Sequence, residues 1–273
     1  MKAALIQFTP WDKAYYFDPA SLELAENDYV IVETQLGTEM GKVIGFEEVA
    51  PVDGESREIK PVARKATMED LEQRVKLDKE KEEALKNCKK IIDRYNLPMK
   101  LVDVHFSFDN KRLTFAFIAN GRVDFRQLVK DLTRHYQKNI RLQQIGIRDE
   151  MKMQGDVGPC GRRLCCQQFV KDLGNITSEL AETQQVAHRG SDRLSGNCGR
   201  LRCCLAFEQP TYEEFAKSLP LVGSIVKTES GKGQVIGWHT LKQTVDVRLF
   251  PDKEVKEGTI VEIAADKLKV VEK

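Results

Sequence analysis

Apolar and polar residues alternate in short runs at both ends of the chain and recur at helical spacing in its middle. Residues 1 to about 65 contain AALIQF, AYYF, DYVIVET and GKVIGFEEV, separated by Gly, Pro and Asp, and predict short strands. The C-terminal GSIVKTESGKGQVIGW, TVDVRLF and TIVEIAADKLKVVE predict the same, with ESGKGQ as a hairpin turn. VET…GKVIGF (32–46) echoes VKT…GQVIGW (226–238), so the two ends read either as two small barrel-like units or as parts of one sheet.

The middle of the chain has a different period. Thr67 followed by Glu69 and Asp70 predicts a helix start. Leu85, Cys88 and Ile92 then share one stripe of a helix running to about Tyr95, which makes Cys88 a core residue. LVDVHFSF and RLTFAFI alternate with period two around Asp109 and Asn110 and predict a hairpin. Asp124 is expected to cap a second helix whose apolar face is Phe125, Leu128, Val129, Leu132 and Tyr136. A strand near NIRLQQIGI completes an α-β-β-α-β unit, expected as a sheet with two helices on one face.

Residues 150–210 lack a sustained period apart from a short helix predicted near Thr177, and Thr211 with Glu214 carries a capping-box signal for a helix start. The fold class is therefore α+β. Its segments are an N-terminal small β unit (1–65), an αββαβ domain (66–150), a loop-rich duplicated cysteine insert (151–210), and a helix plus a C-terminal small barrel-like β unit (211–273).

Composition narrows the chemistry. Lys and Arg total 43 and Asp and Glu 42, so no overall field favours nucleic acid or an anionic membrane. No segment approaches the roughly 20 apolar residues of a spanning helix, and the opening residues lack a signal-peptide run. These features predict a cytoplasmic protein without membrane insertion. In a reducing compartment clustered cysteines bind metal or do redox chemistry more often than they form disulfides.

Six of the seven cysteines fall in two matched stretches, GPCGRRLCCQQF and GNCGRLRCCLAF. Cys160, Cys165 and Cys166 recur 38 residues on as Cys198, Cys203 and Cys204. Thiolates favour zinc, iron–sulfur clusters or copper(I). Gly161 and Gly199 permit the positive φ of a tight loop. Adjacent side chains diverge, so the vicinal pairs suit a broad cluster or two centres better than one small ion. Arg162, Arg163, Arg200 and Arg202 are expected to favour thiolate, and Phe169 and Phe207 to limit water access. Four cysteines serve one cubane, so six are too many for one and too few for two. Either two are spare, or each triplet awaits a ligand from a partner. Zinc is the alternative metal, although the Cys-x2-Cys pairs of a zinc ribbon are absent.

Catalytic patterns find little support. The histidines His105, His135, His188 and His239 are scattered. His105 is expected as a solvated residue on the polar face of its strand, with Asp103 and Ser107, and His188 is a candidate auxiliary ligand. No phosphate loop, H-E-x-x-H or hydrolytic triad is present, so a non-enzymatic protein is expected. The basic RQLVKDLTRHYQK is a candidate for RNA contact, but a helix with basic residues opposite an apolar face reads first as a solvated one.

YYFDP, VIVET, MKLVDVHFSFD, NGRVDFRQLVKDL, IGIRDEMKM, GPCGRRLCC and SGNCGRLRCCLAFE together closely resemble the RicT (YaaT) family of bacterial proteins, over about residues 13–240. The resemblance implies a cytoplasmic, non-enzymatic adaptor that joins RicA-like and RicF-like proteins in a complex carrying 4Fe-4S clusters. It implies action with RNase Y on polycistronic mRNA, RNA being met only indirectly, with effects on sporulation, competence and biofilm formation. It also points to Cys160, Cys165, Cys166, Cys198, Cys203 and Cys204 as the cluster ligands. The alternative is a zinc-stabilised RNA-binding protein that uses the four arginines on phosphates.

Overall fold

The computed structural model describes residues 2–48, 59–169, 174–251 and 258–272. Val49, at the end of the expected fourth strand, lies outside the described residues. The chain is α+β and forms two compact units, Met1–Gln154 and Gly155–Lys273.

The first unit begins with β1 (Lys2–Gln7), β2 (Tyr15–Phe17), β3 (Tyr29–Thr34), β4 (Gly37–Glu48) and β5 (Val62–Lys65). They form one antiparallel sheet in the order β2-β1-β4-β3-β5. Ala4, Ile6, Phe17, Val30, Val32, Val43 and Val62 make its core. Then follow α1 (Met68–Arg94), β6 (Lys100–Phe106), β7 (Arg112–Ile118), α2 (Arg126–Tyr136), β8 (Asn139–Gln144) and the short α3 (Ile147–Gln154). The second sheet has the order β6-β7-β8, with β6 antiparallel and β8 parallel to the central strand.

The start of α1 is the expected one. The Thr67 hydroxyl accepts from the Asp70 backbone N–H, and the Asp70 carboxylate accepts from the Thr67 N–H at 2.7 Å. Chiefly the Arg64 guanidinium, with the Thr67 bonds in support and against burial, holds the Asp70 carboxyl well below the usual carboxylate range. The stripe also holds. Cys88, Ile91 and Ile92 of α1 and Leu128 and Leu132 of α2 pack with Val104, Leu113 and Phe115 of the sheet. Burial pushes the Cys88 thiol up to about 12, as befits an inert core residue.

Asp124 corrects the expected cap by one residue. Phe125 occupies the cap position without a side-chain bond, and Asp124 accepts from the Arg126 N–H at 3.1 Å from the position before it. His105 needs a larger correction. Its sheet face is not solvated, because the first sheet covers it. Its Nε2 lies 2.9 Å from Glu39 Oε2, and the side chain is 18% exposed. Arg112 bonds the other Glu39 oxygen at 2.5 Å and also donates to the Leu36 carbonyl. Alongside, the Trp11 indole donates to Asp103 at 2.8 Å.

The second unit holds α4 (Cys165–Gln168), α5 (Ser178–Thr183), α6 (Ser191–Leu194) and α7 (Cys203–Ala216). They precede β9 (Ile225–Thr228), β10 (Gly231–His239), β11 (Thr244–Leu249), β12 (Ile260–Ala264) and β13 (Lys269–Glu272). The expected helix start at Thr211 is corrected, since α7 already begins at Cys203 and runs through Pro210. The cysteines, not the capping signal, open the helix.

The third sheet is antiparallel, in the order β12-β11-β10-β9-β13. Among the described residues neither five-stranded sheet closes into a barrel. The sequence echo is nevertheless a structural one. Thr34 and Thr228 each donate to the carbonyl of the glycine three residues on, Gly37 and Gly231, at 2.8 Å. Both hairpin turns end with these glycines at positive φ, 116° and 126°. In both sheets the VIG tripeptide carries a bulge: Val43 and Gly45 take successive partners on β1, and Val235 and Gly237 do so on β11.

Candidate metal centre

The two cysteine stretches fold as the same knuckle. Gly158 N–H donates to the Arg162 carbonyl and Gly196 N–H to that of Arg200, both at 2.8 Å. Gly161 N–H donates to Gly158 and Gly199 N–H to Gly196, both at 2.9 Å. Isolated antiparallel bridges, Val157 with Arg163 and Ser195 with Leu201, close the two loops. Gly161 and Gly199 stand at φ 78° and 72° with open space where a Cβ would be. A substitution there meets backbone strain alone. Gly161→Ala and Gly199→Ala are each expected to cost about 1–2 kcal/mol, read as a lower urea midpoint with unchanged slope.

Each knuckle leads its second and third cysteines into a helix start. Cys165 and Cys166 open α4, and Cys203 and Cys204 open α7. The vicinal thiols diverge as expected in the first pair: Cys166 is buried at 6% exposure while Cys165 remains part-exposed. Cys160 is exposed, and Cys198, Cys203 and Cys204 are intermediate.

The repeats also meet. Burial first, then the charges of Cys204, Cys203 and Cys160, raises the Cys165 thiol above its ordinary value. Thus Cys160, Cys165, Cys203 and Cys204 share one electrostatic neighbourhood. Burial and then Glu208 raise Cys204, with Arg202 opposing them. Arg202 thus acts on Cys204 in the expected direction, but burial and Glu208 outweigh it, and burial with the neighbouring thiols raises Cys165. Phe169 and Phe207 pair at 4.8 Å between ring centroids yet are 53% and 57% exposed, so they form a shared surface patch. His188 lies on an exposed 3-10 turn, Ala187–Arg189.

Sequence reading missed two supports. Asn197 donates to the Asp156 carboxylate and to the Val157 carbonyl at 3.1 Å, tying one knuckle to the other. The signal was a break in the repeat, Asn197 standing where the first copy has Pro159. Gln184, buried at the end of α5, donates to the Leu205 carbonyl at 2.6 Å and so fastens α7. Its glutamine lay in a stretch without a repeat, and only its partner gives it meaning.

The donor set is thiol-rich, as a soft metal or an iron–sulfur cluster needs. Among the described residues no group of three or more His, Cys, Asp or Glu side chains is already arranged to hold a metal ion. In the same residues no helix is long and apolar enough to cross a membrane.

Comparison with known proteins places the chain. The PSP1 C-terminal conserved region matches residues 60–145, and the third domain of PSP1-like proteins matches residues 175–219. An uncharacterized protein of Schizosaccharomyces pombe is 30% identical over 47% of this chain and 21% of its own. Protein PSP1 of Saccharomyces cerevisiae is 41% identical over 17% of this chain and 6% of its own. No solved structure matches significantly. The stage 0 sporulation protein YaaT of Bacillus subtilis is 38% identical over 94% of both chains, and the protein described above belongs to the YaaT family.

Proposed function

We propose that this protein is a non-enzymatic cytoplasmic adaptor whose cysteine knuckles hold 4Fe-4S clusters with ligands completed by RicA-like and RicF-like partners. In this reading it acts with RNase Y in mRNA processing and so reaches sporulation, competence and biofilm formation. The observation that carries the reading is the meeting of the two knuckles, through the Asn197 bonds to Asp156 and Val157 and the Phe169–Phe207 ring contact, with Cys160, Cys165, Cys203 and Cys204 in one neighbourhood. Cys198 occupies the second knuckle at the place of Cys160. Cys166 is buried in the first turn of α4, next to Cys165 in sequence.

The YaaT name, a stage 0 sporulation protein, supports the developmental side of the reading. The thiol-only donor set fits a cluster, whose bound form would supply redox or iron sensitivity at the surface that partners share. The chain's own part is to present sulfurs on two tight loops and two helix starts. The exposed Phe169–Phe207 pair adds apolar contact area beside them.

Anaerobic purification with iron and acid-labile sulfide analysis tests this reading. Iron with matching sulfide and broad visible absorption is the expected result. Zinc without sulfide would overturn the cluster and leave the knuckles as a structural clasp in a zinc-stabilised RNA-binding protein.

A further inference from the structure

The third sheet carries a charge arrangement that its own stability opposes. Lys227 of β9 is the direct cross-strand partner of Lys232 on β10 and of Lys269 on β13. Three lysines therefore stand abreast on adjacent strands, about 4.8 Å apart from strand to strand. All three are exposed, and they face away from the core formed by Val226, Val235, Val245 and Val247. Like charges directly opposite one another destabilise a sheet. No ion pair relieves them among the described residues, and none forms to Arg248, which points outward opposite Gln234, two register pairs along from Lys232.

The row continues into an aromatic ring. The Phe250 N–H donates to the Lys232 carbonyl at 2.9 Å, so Phe250 lies beside Lys232 at the end of β11. Leu249 before it faces the core, and by strand alternation Phe250 shares the outward face. The ring is 45% exposed. Among the described side chains the nearby acidic groups are otherwise engaged or off the strands: Asp246 is bonded by His239 at 3.2 Å, Glu262 accepts from Thr244 at 2.5 Å, and Glu229 occupies the turn.

The first sheet supplies an internal control. It has the same Thr-x-x-Gly hairpin, but the residue before Thr34 is Glu33 and the residue after Gly37 is Thr38. The matching positions in the third sheet are Lys227 and Lys232. The shared turn therefore does not demand lysine at either position.

We infer that the outward face of β13, β9 and β10, with Arg248 and Phe250, binds single-stranded nucleic acid. Successive phosphates neutralise the row, and a base stacks on the Phe250 ring. A row of cations beside an exposed ring is the combination that follows a single strand, whose phosphates and base faces are both accessible. An anionic lipid surface could also use the lysines and seat the ring, so vesicle binding is the competing outcome of the test. The inference departs from the expected indirect contact with RNA, and it does not depend on the cysteine site.

The test is fluorescence anisotropy of a labelled uridine 12-mer and its deoxy counterpart with the full chain, from about 50 mM salt upward. Binding of either oligomer supports the site, and the stronger of the two identifies its source. Lys227→Gln/Lys232→Gln/Lys269→Gln is expected to weaken binding about 10-fold or more and to flatten the salt slope by about 2, three contacts at about 0.7 each. It should melt no lower than the parent, because the substitutions remove repulsion. Phe250→Ala should weaken binding about 5-fold or more with the salt slope kept. No binding at low salt, an unchanged triple variant, or binding only to phosphatidylserine vesicles overturns the proposal. Cys165→Ser/Cys203→Ser should bind the oligomer as the parent does. Loss of binding there, with the lysine variant intact, would move the contact to the cysteine segment and overturn the proposal while leaving the cluster reading standing.

Discussion

Glu39→Ala is expected to lower the unfolding free energy by about 3–5 kcal/mol, because it leaves the Arg112 charge buried without its counter-ion. Arg112 is 8% exposed and Glu39 4%, so water reaches neither group freely. The Arg112 guanidinium keeps its bond to the Leu36 carbonyl in the variant, but a carbonyl dipole does not replace a carboxylate. His105 loses its 2.9 Å partner in the same step. The site joins the two sheets of the first unit, so its loss should show as a lower urea midpoint of that unit. Glu39→Leu/Arg112→Met removes both charges, and it should recover much of the loss, as paired burial of ions is often no better than good apolar packing. A single variant within about 1 kcal/mol of the parent would mean that water enters the site and that the pair is surface-like.

This cluster also marks where sequence reading stops. The elements around it were legible because each rests on a local cause: the Thr67 capping box, the α1 stripe through Cys88, and the period of two in LVDVHFSF and RLTFAFI. Glu39 and Arg112, however, are 73 residues apart, and each looks locally like the polar position of a half-exposed strand. Only the packing of one sheet on another turns those positions inward. For the same reason His105 read as solvated.

The cysteine site was legible as a repeat and illegible as an arrangement. Spacing gave the two loops and their glycines, which the structure builds with matching hydrogen bonds. It did not give the contact between the copies, made through Asn197 and Asp156 and through Phe169 and Phe207. Nor did it reveal that Cys203 rather than Thr211 opens α7. The TYEEF signal is a real capping pattern, but here it lies within a helix begun eight residues earlier, past a proline that such a pattern ordinarily follows as a break. The two terminal β sheets show the opposite case. A weak echo in sequence corresponds to a shared Thr-x-x-Gly turn and a shared bulge, because both are local devices that a few residues encode.

Cys165→Ser and Cys203→Ser are expected to lower iron retention after anaerobic reconstitution by at least the about 10-fold that loss of even an outer-shell partner can cost a metal site. Serine keeps the size of the side chain but replaces a soft sulfur with a hard oxygen that stays protonated, so it is a poor ligand for iron in a cluster. Both residues sit at helix starts on part-exposed ground, and neither is packed in an apolar core. The folded chain should therefore survive, with an unchanged far-ultraviolet spectrum. Cys88→Ser is the control with the reverse signature. Its thiol is fully buried on the α1 stripe, so a hydroxyl there is expected to cost about 1–3 kcal/mol in stability. Its iron content should equal the parent's. Measuring iron per chain and the urea midpoint on the same three variants separates the two roles. If Cys165→Ser and Cys203→Ser retain iron and sulfide as the parent does, neither sulfur is a required ligand. The shared neighbourhood of the knuckles would then serve packing between the repeats, and the cluster would have to rest on Cys160, Cys166, Cys198, Cys204 and the partners.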